Sequence, residues 1–597
     1  MPKTSFPVVW DLEVFFKGGS ESQELRDHLD ETKKRLSDFD EKIKAFETPS
    51  RGNEGEQVAN LIEAGSNINM QIRQAGAFVS CLEAEDMSNK KASALRSEIT
   101  ELSASYGATF NTFKQKLAKT PEAPWDEILR NKRISDLAFV LNEWRQSVSE
   151  QLSEEEEALI TALSVDGYHA WGQMYNTIVG SMTIKVTIEG EEKVLSVGQA
   201  NNYLSHEDPE VRKDVFEKLE AAWHEKESLF ANTLNHLAGF RLSTYKKRGW
   251  DNVLKEPLDI NRMEQSTLDA MWGAITKNKQ PFVDFLYRKA KLLGKEKLEW
   301  YDLGAPTQKN KEKLSYDEGA QFILKHFEKF SPKMADFSRK AFEDAWIEAE
   351  DRSGKRPGGF CTGFPLSEQS RIFMTYNGTM SNVATLAHEL GHAYHTHALK
   401  PVHPINRRYA MNVAETASTF AEMIVADASV KEASTDSDKI ALLEDKLQRS
   451  VAFFMNIHSR FLFETRFYEE RKNGFVPASR LNELTDEAQR EAYCDAVNST
   501  SETYWSNKLH FHITGVPFYN FPYTFGYLFS LAIYAKALEE GKDYEEKYIS
   551  LLQDTARMSV EDLALKHLDE DITKEAFWEK AIDLCKQDVE EYMRLTE

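Results

Sequence analysis

Two histidines four residues apart, His388 and His392, stand in the run NVATLAHELGHAYHTHAL with Glu389 directly after the first. The run is rich in Ala, Leu and Glu and reads as a helix. Residues four apart share a helix face, so both imidazoles can reach one ion. Zinc takes imidazole nitrogen readily, and a catalytic zinc keeps one position open for water. Glu389 is then placed to act as general base on that water. Gly391 gives up about 1 kcal/mol of helix propensity against Ala, which predicts something packed closely against it.

Such a site needs a third protein ligand. The run MNVAETASTFAEMIVAD, 411–427, reads as a second helix with Glu415 and Glu422 seven apart on about the same face. Both lie among small and apolar residues, where a carboxylate without a partner is costly. A metal or a ligand histidine would account for either one. His395, His397 and His403 are the other candidates.

Other elements must hold these two helices in place. Leu25, Leu29, Leu36, Phe39, Ile43 and Phe46 put one apolar stripe on a long helix across 20–47, and helical patterns continue over 56–84 and 88–118. Ile184, Val186 and Ile188 alternate with polar residues, Glu189-Gly190 turns the chain, and Val194, Leu195 and Val197 follow, which predicts a β-hairpin. Asp208-Pro209-Glu210 then reads as a helix start. The stretch GKRPGGFCTGFPLSEQSRIFMT, 354–375, is rich in Gly and Pro and reads as short strands and turns. From Ser381 onward the pattern is mostly helical. The expected fold is mainly α with a small β-sheet near residue 360. Its expected regions are an N-terminal helical part (1–120), a helical linker with the hairpin (121–200) and a catalytic part (201–597).

The 597 residues carry a formal net charge of −23 and no long basic run, so a nucleic-acid partner is not expected. Cys81, Cys361, Cys494 and Cys585 are far apart and form no C-x-x-C, which argues against disulfides and against a cysteine-bound metal. The start, MPKTSFPVVWDLEVFF, makes a poor signal peptide, and no uninterrupted apolar stretch reaches membrane-spanning length. The expectation is a cytoplasmic protein without a membrane partner.

TLAHELGHAYH followed by NVAETASTFAE resembles the M3 peptidases, and within them the oligoendopeptidase F branch. GKRPGGFCTGF and KLHFHITGVPFYNFPYTFGYLFS (508–530) add to the resemblance, which covers about the C-terminal two-thirds of the chain. It implies one zinc per chain on His388, His392 and Glu415, with Glu389 as base, and leaves Glu422 to orient a ligand histidine. It also implies transition-state donors among His510, His512, Tyr519, Tyr523 and Tyr527, with His510 and His512 both open. Where relatives often carry Asp-Val before the motif, this chain has Asn382-Val383, so Asn382 becomes a candidate support for a ligand histidine. The implied fold is a two-lobed helical ellipsoid with a deep channel that admits short unstructured peptides. Gly358, Gly359 and Phe360 would pair with substrate backbone at the channel edge.

Two other functions compete with an endopeptidase. A carboxypeptidase of related helical fold would need a cation for the substrate's free carboxylate, and Arg356, Arg407 and Arg408 could supply it. A non-catalytic peptide-binding protein would have no need of Glu389.

Overall fold

The computed structural model describes residues 5–188, 190–308 and 313–597. The apolar stripe at 20–47 becomes helix α1 (Gln23–Ala45), whose start is capped by Ser22 accepting from the Leu25 amide. Leu25, Leu29, Leu36, Phe39 and Ile43 all point inward. They meet α2 (Gly55–Glu85) and α3 (Lys90–Ala118) in a core that also takes Phe78, Phe113, Trp125 and Leu141.

A second and larger core begins with the hairpin. Strands β1 (Thr183–Ile188) and β2 (Glu191–Ser196) pair antiparallel, and β1 alternates exposed and buried residues as the sequence pattern predicts. Ile184, Val186 and Ile188 enter the larger core; Glu189 at the turn lies outside the described residues. Asp208 caps the next helix, Pro209–Arg248, by accepting from the Glu210 amide. Helices continue to the C-terminus and take 71% of the residues against 4% in strands, so the mainly α expectation holds. Among the described residues no helix is long and apolar enough to cross a membrane.

The small sheet lies at the seam between the two cores. Its order is β3 (Ile347–Glu348), β5 (Gln369–Phe373), β4 (Phe360–Phe364), with β3 parallel and β4 antiparallel to β5. Neighbouring residues on a strand face opposite ways. Ile372 therefore joins the larger core while Phe373, with Phe364, joins the smaller one. Strand β4 is at the edge of the sheet and, among the described residues, keeps one side free of strand partners.

Under that sheet runs the motif helix, Met380–Ala398, with Thr379 capping its start. It packs on the helix Thr416–Glu432. Gly391 is the point of closest approach: a Cβ there would lie 2.4 Å from the Ala417 carbonyl oxygen and 2.6 Å from Ser418 Cα. The close packing expected from this glycine is present.

One expectation needs correction. The run 411–427 is not one helix. A short helix, Met411–Ala414, stops at Glu415 (φ −87°, ψ 1°), and the long helix begins at Thr416. The Asn412 amide group and backbone N–H are both tied to Asn261. The helix Phe521–Glu540 presses on the same place, where a Cβ on Gly526 would lie 2.8 Å from the Asn412 carbonyl oxygen and 3.4 Å from Glu415 Cβ. These fixed contacts outweigh the weak preference of a short apolar run for helix continuity.

Candidate metal centre

The motif helix brings His388 and His392 onto one face, with ring centroids 4.9 Å apart. Glu415, at the kink just described, faces both. Its Oε2 lies 3.3 Å from His388 Nε2 and 3.4 Å from His392 Nε2. One ligand atom from each of the three falls within 4.8 Å of the others. On the far side of the His388 ring, Nδ1 lies 3.1 Å from Glu422 Oε2, and Glu422 is itself paired with Arg449.

The electrostatics follow from this crowding. Burial opposes a charged His388, but hydrogen bonds to Glu415 and Glu422 win and raise its pKa to about 10. Burial works against the Glu415 carboxylate too, yet the two imidazoles hold it well below the usual range. The carboxylates thus hold positive charge between them, and a divalent cation can take the place of those protons. Two imidazoles, one carboxylate and a carboxylate behind the first ring form a donor set that suits zinc.

Glu389 is buried beside this cluster. Burial raises its pKa above the ordinary carboxylate value, against the pull of His392 and His388. Its Oε2 is buried without a hydrogen-bond partner, which is costly unless a ligand meets it. Its Oε1 lies 3.6 Å from where a Cβ would sit on Gly359. Gly358 needs its φ of +90° for the turn into β4. The Phe360 ring turns away from the edge to stack on Phe373, 5.3 Å between centroids, while its backbone stays on β4.

The segment after residue 508 divides. His510 is half-buried, with Nδ1 2.6 Å from Asn520 Oδ1 and 3.2 Å from Arg460 Nη1. Its ring lies 4.7 Å from that of Tyr519, whose hydroxyl accepts from the Tyr523 hydroxyl at 3.3 Å. Tyr523 lies one turn before Gly526, the residue that meets Glu415. Burial, the Tyr519 hydroxyl and the negative Glu415 push the Tyr523 pKa well above its usual range.

His512 goes elsewhere. It is sealed against Tyr175, 4.1 Å between rings, and neither ring nitrogen has a hydrogen-bond partner. Burial lowers its pKa to about 3. A neutral, enclosed imidazole cannot reach a reacting carbonyl, so the expectation that held it open as a donor is corrected. Tyr527 is corrected for the same reason: it is buried, stacked on Phe453 at 4.4 Å, with its hydroxyl 3.0 Å from Ser450 Oγ. Asn382 accepts from the Asn377 amide at the start of the motif helix. Six residues before His388 it is on another face, and it supports the helix entry instead of a ligand ring.

The other candidate ligands also have different work. His395 is buried and bonds Thr555 Oγ1 at 3.0 Å, His397 packs on Phe337, and His403 accepts from the Ile405 amide.

The profile of peptidase family M3 matches residues 202–584, and that of oligopeptidase F matches 116–184. The chain belongs to peptidase family M3. The motif helix, the Glu415 kink and the His/Tyr segment of this M3 chain all lie inside the larger match. Among curated relatives, an oligoendopeptidase F homolog of Lactococcus lactis is 23% identical over 92% of this chain and 90% of its own length. A solved chain from Chlamydophila abortus superposes with a TM-score of 0.83 at 19% identity, covering 99% of both chains. Oligoendopeptidase-F from Enterococcus faecium gives 0.70 at 19% identity, covering 96% of this chain and 99% of that one. These likenesses show that the M3 fold is shared at low identity.

Three residues around this cluster and the His/Tyr segment were not found from the sequence. Ser418 Oγ donates to Glu415 Oε2 at 2.8 Å. Arg449 neutralises Glu422 from another helix. Arg460 reaches both His510 and Asn520. Only Ser418 gave a local signal, three residues after Glu415 at the start of a helix; the arginines are brought in by long-range packing.

Proposed function

We propose that this M3 chain is a zinc-dependent endopeptidase that hydrolyses internal bonds of short, unstructured oligopeptides, with one zinc per chain. The observation that carries the reading is the unpartnered, buried Glu389 carboxylate set between the His388/His392/Glu415 cluster and the free edge of β4. Cobalt or manganese would also suit two histidines and a carboxylate. When bound, the ion supplies Lewis acidity, which lowers the pKa of a water and polarises the substrate carbonyl.

The chain's own residues do the rest. Glu389 takes the proton of the attacking water and returns it to the leaving amine. Glu422, backed by Arg449, fixes the His388 ring. The backbone of Gly358, Gly359 and Phe360 on the β4 edge pairs with an extended substrate. Tyr519, Tyr523 and His510 donate to the oxyanion that forms at the carbonyl, with Arg460 and Asn520 holding the His510 ring. Four free cysteines fit a reducing compartment, which supports a cytoplasmic location.

Internal cleavage is favoured over carboxypeptidase action by relatives that carry the name oligoendopeptidase F. An internally quenched peptide with both ends blocked separates the two: the proposal expects it to be cut. In Glu389→Gln the same assay should lose roughly a thousandfold or more in kcat, while metal content by mass spectrometry stays at one per chain. Wild-type turnover by Glu389→Gln would remove Glu389 from the mechanism and with it the proposal.

A further inference from the structure

One turn past His392 the motif helix leaves the metal cluster and borders a cavity of about 360 Å³, between Ala393 and Thr396 on one side and Gly363 and Phe364 on the other. Arg73, Lys400, Arg407 and Arg408 line it, with Glu368 as the one lining acid. Glu368 lies 3.8 Å from Lys400 Nζ. Arg407 donates to the backbone carbonyls of Val402 and Lys400, and Arg408 to the Asn69 side chain. Among the described residues none of the three arginines has a carboxylate at ion-pair distance. Burial and the neighbouring Arg408 and Arg407 pull the Arg73 pKa below its ordinary value.

This is a local inversion of charge in a chain whose net charge is −23. Like charges gathered in a half-enclosed space repel, and a carboxylate that enters relieves them with charge-assisted, bidentate hydrogen bonds. The position along β4 is equally specific. Gly359 lies against Glu389, and Gly363 lies against Thr396 at the cavity mouth, 3.3 Å from a Cβ built on the glycine. Four residue steps lead from one to the other, about 13 Å at ~3.3 Å per residue. An extended peptide paired with the β4 edge, its reacting carbonyl at Glu389, brings a residue about four positions away to the arginines.

We propose that this cavity is a carboxylate subsite of the peptide groove, which takes an acidic side chain, or the terminal carboxylate, roughly three to five residues from the cleaved bond. The proposal rests on the peptidase reading above. It also separates these arginines from carboxypeptidase chemistry, because the distance is too great for release of a single residue.

The test uses quenched peptides of one sequence with Asp or Asn at each position three to five residues to either side of the cut, each made as the C-terminal acid and amide. For wild-type holoenzyme, one Asp position or the free terminus should raise kcat/KM about tenfold through KM, as one ion pair worth ~1.4 kcal/mol would. Added salt should weaken the preference. A preference that follows the Asp position identifies a side-chain carboxylate, and one that follows acid over amide identifies the terminus. In the double variant Arg73→Gln/Arg408→Gln the preference ratio should fall to about one. Equal cutting of acidic and neutral peptides by wild type, or a preference that survives in the double variant, overturns the subsite. Fluorescence anisotropy of labelled Asp and Asn peptides on zinc-loaded Glu389→Gln reads the subsite without turnover. Tighter binding of the Asp peptide there, with no hydrolysis by wild type, would fail the peptidase reading and keep the subsite.

Discussion

The motif helix and the segment 508–527 each offer histidines and other polar groups to one region of the chain, and they treat them differently. His388 is surrounded by carboxylates that make a positive charge favourable in a partly buried place. His512 is surrounded by aromatic rings that make any charge unfavourable. His388 is partly buried and His512 fully so; what differs most is whether the burial is compensated. A buried polar group left unpaired costs about 1–3 kcal/mol, so His512 contributes packing at a cost, while His388 is one part of a paired cluster. Burial alone therefore does not mark a functional histidine. The partners do.

Substitutions can break this contrast. The largest effect is expected at Glu415. Glu415→Gln removes the charge that both histidines face; bound metal should vanish on dialysis and peptide cleavage should fall to background, as read by mass spectrometry and a quenched peptide. Next comes the paired comparison in the other region. His510→Ala should lower kcat about a hundredfold, the usual scale for one oxyanion donor, with metal content unchanged. His512→Phe, which keeps the aromatic packing, should leave kcat near the wild-type value. Equal losses in the two variants would erase the distinction between the two histidines.

A smaller effect is expected behind the ligand ring. Glu422→Gln should weaken metal affinity by about 10- to 100-fold, measured by competition with a chelator, and Arg449→Ala should move it the same way. Tyr523→Phe should lower kcat by less than His510→Ala does, because the Tyr523 hydroxyl already donates to Tyr519. Tyr527→Phe should leave kcat alone and cost about 1 kcal/mol of stability, the loss of the Ser450 hydrogen bond. A separate effect concerns pH and stability, not turnover. His512 has its pKa lowered to about 3 in the folded chain, against about 6.5 unfolded. Its contribution to stability is complete above about pH 6.5 and is lost as pH falls toward 3, because the unfolded chain then binds a proton that the folded chain does not. Denaturant melts of wild type and His512→Phe between pH 7 and 4 should show the wild type losing more.

Legibility from sequence followed backbone regularity. A helix converts a spacing of four into a shared face, so His388 and His392 could be read directly, and Gly391 betrayed the helix crossing because only a close approach makes its low propensity worthwhile. The alternation of Ile184, Val186 and Ile188 gave the hairpin in the same way. Glu415 was harder. It lies at a kink made by Asn412, Asn261 and Gly526, and no local pattern announces contacts 150 residues away in one direction and 110 in the other; the family resemblance, not the spacing, separated it from Glu422. In 508–527 the backbone is a short 3-10 turn and a loop before the helix begins. There a spacing of two between His510 and His512 carries no fixed direction, which is why one faces Tyr519 and the other the core. Arg449 and Arg460 were invisible because each belongs to the site only through packing of distant helices.

The most direct measurement is X-ray anomalous scattering at the zinc edge on crystals of zinc-loaded protein. One strong peak per chain is expected within ligand distance of His388 Nε2, His392 Nε2 and a Glu415 carboxylate oxygen, and no comparable peak at His510 or His512. A principal peak elsewhere, or full peptidase activity in protein with no peak at this cluster, would contradict it.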